Sequence, residues 1–311
     1  MADSYILGID CGGTKVMAQS VTYNSITGLV SPGEFQLEVN YSDSPKWNSK
    51  FIPVHLDLQR QEFSEGNIYL TQPEIDQGNV IVETIQNIIS KSESDSIGLC
   101  FPGIKNDRGV VIMANGPRIP DLLERIQGID SIPHDSDCCV LGEWKSTIGK
   151  LKNCDNAVYI GGGTGIADGI ILKGKMIDFN ARDDVKRSWE LKIPSGETIE
   201  SCLSPKWMIH QWNISQREKV ETLDQLSQNQ NANTIFEKAT EAFSFLIQNR
   251  TRFFKANHAK IEKIVIGQRL GIFMADSKLI SLLESNTDIP LDYSTDRRTA
   301  ALGAAWKRIC S

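Results

Sequence analysis

The first forty residues alternate short apolar runs with a glycine-rich turn, which is the pattern of a β-hairpin followed by a third strand. An apolar run over residues 5–10 ends at Asp10, and a second run begins at Val16. The connection Cys11-Gly12-Gly13-Thr14 is short and rich in glycine, so we expect a tight turn between antiparallel strands. Residues 35–39 then alternate apolar and polar positions, as a third antiparallel strand does.

Residues 41–72 break this pattern, because they are mostly polar and carry isolated aromatic side chains. We interpret this stretch as an inserted loop that contains one hairpin. Apolar residues at helical spacing predict a helix over residues 74–89, after Pro73. A buried strand is predicted from residue 96 to a Pro-Gly turn at residue 103.

The second half of the chain repeats the strand–glycine turn–strand arrangement. The turns at residues 10–14 and 161–165 are alike, and this repetition indicates two similar halves. The other elements that the pattern predicts are helices over 137–149, within 215–256 and over 299–309, and strands over 156–160, 169–172 and 261–266.

Length and charge restrict the class of protein. The 311 residues fit about two domains. Lys and Arg number 33 against 39 Asp and Glu, so the net charge is −6, and this charge repels a phosphate backbone. We therefore expect no nucleic-acid partner. The N-terminus lacks a basic stretch followed by a long apolar one, and no window is apolar enough to span a bilayer, so we expect a cytoplasmic protein without a membrane partner.

Seven cysteines are scattered along the chain without a CxxC pair, and four histidines are dispersed among them. This spacing does not match that of a zinc site, so we expect reduced cysteines and no zinc site.

The first glycine turn has a composition suited to binding phosphate. It matches neither the GxGxxG nor the GxxxxGK[ST] pattern, and a strand follows it. Paired glycines let backbone N–H groups approach an anion, and Thr14 adds a hydroxyl. Asp10, at the strand end, can hold a hydrated Mg²⁺. An ordinary hairpin turn explains the same residues equally well.

The second turn, over residues 161–169, repeats this composition with more glycine. The two turns together indicate a bound nucleotide triphosphate more specifically than either does alone. Between them, Asp135 lies at a strand-to-helix junction, where the positive end of the helix keeps a carboxylate ionised. Such a carboxylate can accept a hydroxyl proton. Simple helix capping by Asp135 or Asp137 is the structural alternative, and spacing alone favours it.

Taken in order, these segments resemble the sugar kinases of the ROK family (repressors, open reading frames, kinases), members of the actin/hexokinase-like ATPase superfamily. The resemblance covers most of the chain except about 41–72. The matching segments are Leu7 to Lys15, Phe101-Pro102-Gly103, His134 to Asp137 with Leu141-Gly142-Glu143, Gly163-Thr164-Gly165, and Thr299 to Ala305.

The resemblance implies an α/β, two-lobed actin/hexokinase-like (ribonuclease H-like) fold with a cleft between the lobes. The first lobe would comprise residues 1–133 plus 296–311, and the second lobe residues 134–295. The resemblance alone also implies a homodimer.

Roles of individual residues come from the same resemblance. Asp135 falls on the aspartate of the family's Asn-Asp-Ala-Asn motif, so it would be the catalytic base. ATP and Mg²⁺ would be the cofactors, with Asp10 holding the metal through water. The residues implied for ATP are Asp10, Gly12, Gly13, Thr14, Lys15, Gly163, Thr164, Gly165 and Gly267, and those implied for the sugar are Asn115, His134, Asp135, Glu190 and Glu200.

The chain departs from the family pattern at several positions. His134 stands where the family usually has asparagine, and Ile193 stands where it has a sugar-contacting histidine. Cys202 alone remains of the zinc-binding cysteine cluster. The chain is therefore more similar to a zinc-free branch of the family, such as the zinc-free glucokinases. Near the expected adenosine site, Gly267-Gln268 replaces a Gly-Gly pair.

The leading hypothesis is an ATP-dependent kinase for a hexose hydroxyl, most simply the 6-hydroxyl of glucose or a related sugar. A non-catalytic sugar or ATP sensor of the same fold is the main alternative, motivated by His134 and Ile193. A ROK repressor would need a helix-turn-helix domain before the first strand, which we do not expect. An acetate-kinase-like or chaperone-like ATPase of the same superfamily is the third alternative; a chaperone would need an extra peptide-binding domain, which we do not expect either. The two arginines of Asn249-Arg250-Thr251-Arg252 are expected on a solvated helix face.

Overall fold

The computed structural model describes residues 6–275 and 279–310, and the chain divides into two compact units. The first unit runs to Gly149 and resumes at Arg297, and the second unit is Lys150–Asp296. The division therefore falls after Gly149 and not, as expected, after residue 133. The physical reason is that the helix after residue 134 packs against the C-terminal helix, which belongs to the first unit.

The elements follow one another in mixed order. The strands are β1 (Ile6–Cys11), β2 (Lys15–Asn24), β3 (Leu29–Asn40), β4 (Ser96–Cys100), β5 (Ile104–Lys105), β6 (Val110–Ile112), β7 (Ala157–Gly162), β8 (Ile166–Leu172), β9 (Lys175–Met176), β10 (Lys263–Gly267) and β11 (Leu291–Tyr293). The helices are α1 (Leu56–Ser64), α2 (Gln72–Ser92), α3 (Leu122–Arg125), α4 (Asp135–Lys145), α5 (Glu200–Leu203), α6 (Pro205–Ser215), α7 (Leu223–Ser227), α8 (Asn233–Ala256), α9 (Gln268–Ala275), α10 (Leu279–Glu284) and α11 (Thr299–Ile309).

The two units contain sheets of the same topology. In the first unit the strand order is β3-β2-β1-β4, with β1 antiparallel to β2 and parallel to β4. In the second unit the order is β9-β8-β7-β10-β11, with β7 antiparallel to β8 and parallel to β10. A parallel bridge between Phe101 and His134 extends the first sheet at the position that β11 occupies in the second. The two similar halves that the sequence predicts are therefore present.

Helices α4 and α11 pack so closely that glycine is required at their contact. An added Cβ at Gly142 would overlap the carbonyl oxygen of Thr299, and one at Gly303 would overlap that of Cys138. Buried contacts of this kind fix one helix against the other, because neither backbone can move aside. The N-terminus of α4, where Asp135 lies, is thereby held on the first unit.

Each unit has its own apolar core. In the first unit, side chains of β1, β2 and β4 pack against α2, with Ile81 and Ile85 fully buried. In the second unit, the sheet packs against α5, α6 and α8, with Phe243 and Phe254 at the centre. Among the helices that the structure describes, none is long and apolar enough to cross a membrane.

The inserted segment, residues 41–72, does not contain the expected hairpin. It forms a short 3-10 turn at Tyr41–Asp43 and the helix α1. The sequence pattern does not show α1, because the residues that this helix buries are the polar Gln59 and Glu62. A helix without an apolar stripe cannot be recognised from its periodicity.

The expected solvated face at Asn249–Arg252 is wrong at Arg250. The guanidinium of Arg250 is fully buried, and its Nε donates to Oδ2 of Asp168 at 2.7 Å. Asp168 lies on β8 and is equally buried, so the two charges neutralise each other inside the second unit.

Candidate active site

The first glycine turn connects β1 to β2 and presents unbound amides. Gly12 N–H donates to the Lys15 carbonyl at 2.8 Å, which closes the turn. Within the described ranges, the N–H groups of Gly13 and Thr14 donate to no protein acceptor, and Thr14 is exposed. Free amides beside a hydroxyl form a concavity suited to an anion. Lys15 itself is ion-paired with Glu38 at 3.0 Å.

The second glycine turn, between β7 and β8, has the same construction. Gly163 N–H donates to the Gly165 carbonyl at 2.9 Å, and Thr164 is exposed. The amides of Thr164 and Gly165 also lack an acceptor in the part of the chain that the structure describes. Each of the two turns could therefore hold phosphate oxygens.

Glu200, at the start of α5, is held against this second turn. Its Oε2 accepts the N–H of Ile166 at 3.1 Å, and an added Cβ at Gly165 would overlap the same carboxylate oxygen. The carboxylate is only partly buried, so one face of it remains open to solvent. A carboxylate with an open face is a suitable acceptor for sugar hydroxyls.

Gly267 ends β10 beside the second turn, and the next residue has an unusual backbone conformation. Gln268 has a φ of 59°, in the left-handed region that favours glycine. A parallel bridge joins Gln268 to Gly162. The conformation is therefore one that a Gly-Gly pair would adopt without strain, although the chain has glutamine there.

Asp10 occupies the end of β1 and is close to a second carboxylate. Burial raises the pKa of Asp10 to about 7, the negative charge of Asp135 contributes to this rise, and a hydrogen bond from Cys100 opposes it. The Sγ of Cys100 donates to Oδ1 of Asp10 at 3.5 Å. Carboxylate oxygens are ligands that a hard divalent cation prefers, so the half-buried Asp10 fits a Mg²⁺ site.

Asp135 is the first residue of α4, where the sequence predicts it. Its Oδ1 accepts the N–H of Ser136 at 2.9 Å. Burial raises the pKa of Asp135, while the positive charge of Lys105 and the hydrogen bond from Ser136 lower it. The capping position of the helix belongs to His134, whose side chain makes no capping hydrogen bond. Asp135 therefore lies one position after the capping residue of α4.

Lys105 lies beside His134 and Asp135, although no sequence motif distinguishes it. Its Nζ donates to the Phe101 carbonyl at 2.6 Å and lies 3.0 Å from Nδ1 of His134. Burial lowers the pKa of Lys105 to about 8, and the charge of Asp135 opposes this shift. No local pattern distinguishes this residue from a surface lysine, because its partners lie just after β4 and at the start of α4.

Asn115 lies on the loop after β6, next to the first glycine turn. Its side chain is exposed, and an added Cβ at Gly13 would overlap its carbonyl oxygen. The first unit thus brings Asp10, Asn115 and Asp135 to the neighbourhood of the first turn, with His134 beside Asp135.

Glu190 lies in the second unit on a 3-10 turn over Ser188–Glu190, and its side chain is exposed. Its Oε2 accepts the N–H of Arg187 at 2.8 Å. Beneath it, Asp168 Oδ1 accepts the N–H of Ser188 at 2.8 Å, and Arg250 donates to the Lys186 carbonyl at 2.7 Å. The buried pair Asp168–Arg250 therefore holds the segment that carries Glu190.

Solved structures that cover nearly the whole chain share its fold. No protein-family model matches the chain, and no curated protein sequence does. The ROK hexokinase of Thermus thermophilus is 16% identical, with a TM-score of 0.63 over 97% of both chains. A ROK-family glucokinase of Streptomyces griseus, in complex with glucose and AMPPNP, is 14% identical, with a TM-score of 0.61 over 97% of this chain and 98% of that one.

A transcriptional regulator of the same family, a homolog of the E. coli MLC protein, is 13% identical, with a TM-score of 0.61 over 99% of this chain and 78% of that one. The fold is thus common to kinases and to a regulator, and function must be argued from the site. The chain has the α/β fold of the ROK-family sugar kinases, as its motifs predict.

Proposed function

We propose that this protein is an ATP-dependent sugar kinase that transfers the γ-phosphate of MgATP to a hexose hydroxyl, most simply the 6-hydroxyl of glucose or a related sugar. The observation that carries the proposal is the pair of half-buried carboxylates, Asp10 and Asp135, beside a glycine turn with unbound amides. The likeness to a glucokinase solved with glucose and AMPPNP supports the same function.

Phosphoryl transfer asks a protein mainly to position the reactants and to stabilise charge. The free amides of Gly13, Thr14, Thr164 and Gly165 would bind phosphate oxygens of ATP. Asp10 would hold Mg²⁺ through water, and the bound metal would neutralise phosphate charge. Gly267 accommodates the ring of Tyr159, which an added Cβ would overlap, and its backbone would line the adenosine end of the nucleotide site.

Asp135 would act as the general base. The sugar oxygen forms a bond to the γ-phosphorus, the bond between that phosphorus and the β–γ bridging oxygen breaks, and ADP leaves. The hydroxyl proton passes to the carboxylate of Asp135, which must therefore be ionised beforehand. The ammonium of Lys105 favours this ionised form.

His134 would replace the family's asparagine as a hydrogen-bond donor to the sugar. When Lys105 donates to Nδ1, a neutral imidazole carries its proton on Nε2. That N–H is a donor, as the amide of asparagine is. Asn115, Glu190 and Glu200 would make the other polar contacts to the sugar.

Lys105→Met is expected to move the acid limb of the pH–kcat profile to higher pH by about one unit, the low end of what an opposite charge at close range produces. Without the ammonium, burial raises the pKa of Asp135 with less opposition, so the base is protonated at a higher pH. Activity then falls more below neutral pH than above it. Steady-state kcat measured across pH checks this.

Lys105→Arg keeps the positive charge and is expected to leave the acid limb near its wild-type position. An equal loss of kcat at every pH in Lys105→Met would contradict the electrostatic role of Lys105. The other titratable groups that face this ammonium are Cys100, Asp137 and Cys138, besides His134.

ADP release from MgATP in the presence of separate sugars tests the proposed function. The panel is glucose, mannose, fructose, N-acetylglucosamine, N-acetylmannosamine and allose. We expect ADP release that depends on at least one sugar and that Asp135→Asn abolishes. Release that is independent of sugar would count against a kinase.

A sugar or ATP sensor without turnover is the second candidate, and Ile193 favours it. Where the family has a sugar-contacting histidine, this isoleucine is buried in the core of the second unit and offers no polar group. A sensor would release no ADP, yet ATP or a sugar would still raise its melting temperature, because a ligand stabilises the folded state that binds it.

A further inference from the structure

We propose that helix α1 of the inserted segment positions the loop of residues 113–118, here termed the Asn115 loop, and thereby sets how tightly the sugar binds. The side chains that do this are Gln59 and Glu62. The inference rests on the proposed function, in which Asn115 contacts the sugar. It assigns a task to residues 41–72, which the resemblance of the sequence motifs does not cover.

Gln59 fixes the beginning of the Asn115 loop. Its side chain is completely buried, and its Oε1 accepts the N–H of Met113 at 2.8 Å. Its Nε2 donates to the Met113 carbonyl at 3.0 Å and to the Val54 carbonyl at 2.6 Å. One carboxamide thus satisfies both backbone polar groups of Met113, as a neighbouring strand would. Buried backbone groups need such partners, so the loop and α1 are tied together.

Arg118 fixes the end of the same loop. Its guanidinium is completely buried; Nε and Nη2 donate to the two carboxylate oxygens of Glu74 at 2.8 and 2.9 Å, and Nη1 donates to Glu62. The backbone N–H of Arg118 also donates to Glu74 at 3.0 Å. A buried charge held by several partners is costly to release. The end of the loop is therefore as firmly placed as its beginning.

The same face of α1 reaches both ends. Gln59 and Glu62 are separated by three positions, which places them on one side of a helix. They are the buried residues of α1, although both are polar. This arrangement is the reason that α1 has no apolar stripe: the face that it buries is used to bind the Asn115 loop.

The centre of the loop is exposed and lies against the first glycine turn. Asn115 is exposed, and its carbonyl oxygen occupies the space next to Gly13 that a Cβ would need. A loop with both ends fixed holds its central side chain in one place, and small displacements of a positioning group are expensive for a reaction. The side chain of Asn115 is therefore pre-positioned before a sugar binds.

Gln59→Met tests the positioning, because methionine keeps the length of the side chain and removes its hydrogen bonds. Hydrogen exchange of the ligand-free protein is measured first, and we expect faster exchange in residues 113–118 than in the wild type. Steady-state kinetics are measured next. We expect the KM for the sugar to rise about tenfold, the effect of losing roughly one hydrogen bond between Asn115 and the sugar, while the KM for ATP and kcat stay close to those of the wild type.

Gln61→Met is the matched control, since Gln61 is exposed on the same helix and its side chain donates to Glu65. It is expected to change neither exchange nor KM. Glu62→Gln keeps the shape of its side chain, removes one charge next to Arg118 and should act in the same direction as Gln59→Met. It serves also if Gln59→Met does not fold.

Unchanged exchange in residues 113–118 in both α1 variants would overturn the positioning, whatever the protein catalyses. Faster exchange with an unchanged sugar KM would overturn the effect on sugar binding. If the wild type phosphorylates no sugar of the panel, the proposed function fails, and the exchange measurement still decides whether α1 holds the Asn115 loop.

Discussion

Asp135→Asn is expected to lower kcat by at least about 10²-fold, the usual effect of losing a general base. Asparagine keeps the size of the side chain, and its oxygen can still accept the N–H of Ser136, but it cannot take a proton from the sugar hydroxyl. The affinity for ATP should stay unchanged, because the proposed phosphate-binding groups are turn amides. Steady-state kcat and a calorimetric titration with ATP measure the two quantities separately.

Asp137→Asn is the matched control for this variant. Both aspartates lie in the first turn of α4, so both substitutions remove one negative charge from the same helix end. Turnover in Asp137→Asn is expected to stay within a few-fold of the wild type. If Asp135→Asn keeps near-normal turnover, Asp135 is not the base, and its carboxylate only stabilises the helix.

Asp168→Asn is expected to lower the free energy of unfolding by about 3–5 kcal/mol, because it leaves a buried arginine without its counter-charge. Both side chains of the Asp168–Arg250 pair are fully buried. The segment that carries Glu190 should loosen as well, since Ser188 N–H and the Lys186 carbonyl are bound to this pair. Urea unfolding followed by circular dichroism measures the loss.

Asp184→Asn provides the comparison in the same unit. Asp184 is ion-paired with Arg182 on the surface, where such pairs contribute about 0–1 kcal/mol. A double variant, Asp168→Leu with Arg250→Met, removes both buried charges and should recover part of the lost stability. If Asp168→Asn costs no more than Asp184→Asn, the buried pair does not support the second unit.

The elements that can be predicted from the sequence are those whose signals are local. The β1–β2 hairpin and both glycine turns could be predicted, because apolar runs and paired glycines lie within a few residues of each other. Asp135 could be found for the same reason, since it immediately precedes the amphipathic pattern of α4. Patterns within a few residues of one another are therefore sufficient to predict the fold and the position of Asp135 in the candidate site.

The residues that could not be predicted from the sequence are charged side chains whose partners are distant in sequence. Arg250 binds Asp168 across 82 positions, and Arg118 binds Glu74 across 44. Lys105 meets His134 across 29 positions. A charged residue is expected at the surface, because burial of its charge requires a partner. In each case the partner is far away in sequence and comes close only in the folded chain.

The boundary between the two units has a similar cause. Residues 134–149 begin a new pattern along the chain, so the sequence predicts that they belong to the second unit. Their helix instead packs on α11, through Gly142 and Gly303, and this contact joins parts of the chain that are far apart. As a result Asp135 belongs to the same unit as Asp10 and the first glycine turn.

Detection of the phosphorylated sugar tests directly whether the protein is a sugar kinase. The purified protein is incubated with MgATP and each sugar of the panel, and both ADP and hexose monophosphate are quantified by mass spectrometry. We predict that one hexose monophosphate forms for each ADP released, and that Asp135→Asn forms neither. ADP without a sugar phosphate, or binding of ATP and sugar without any product, would contradict this prediction.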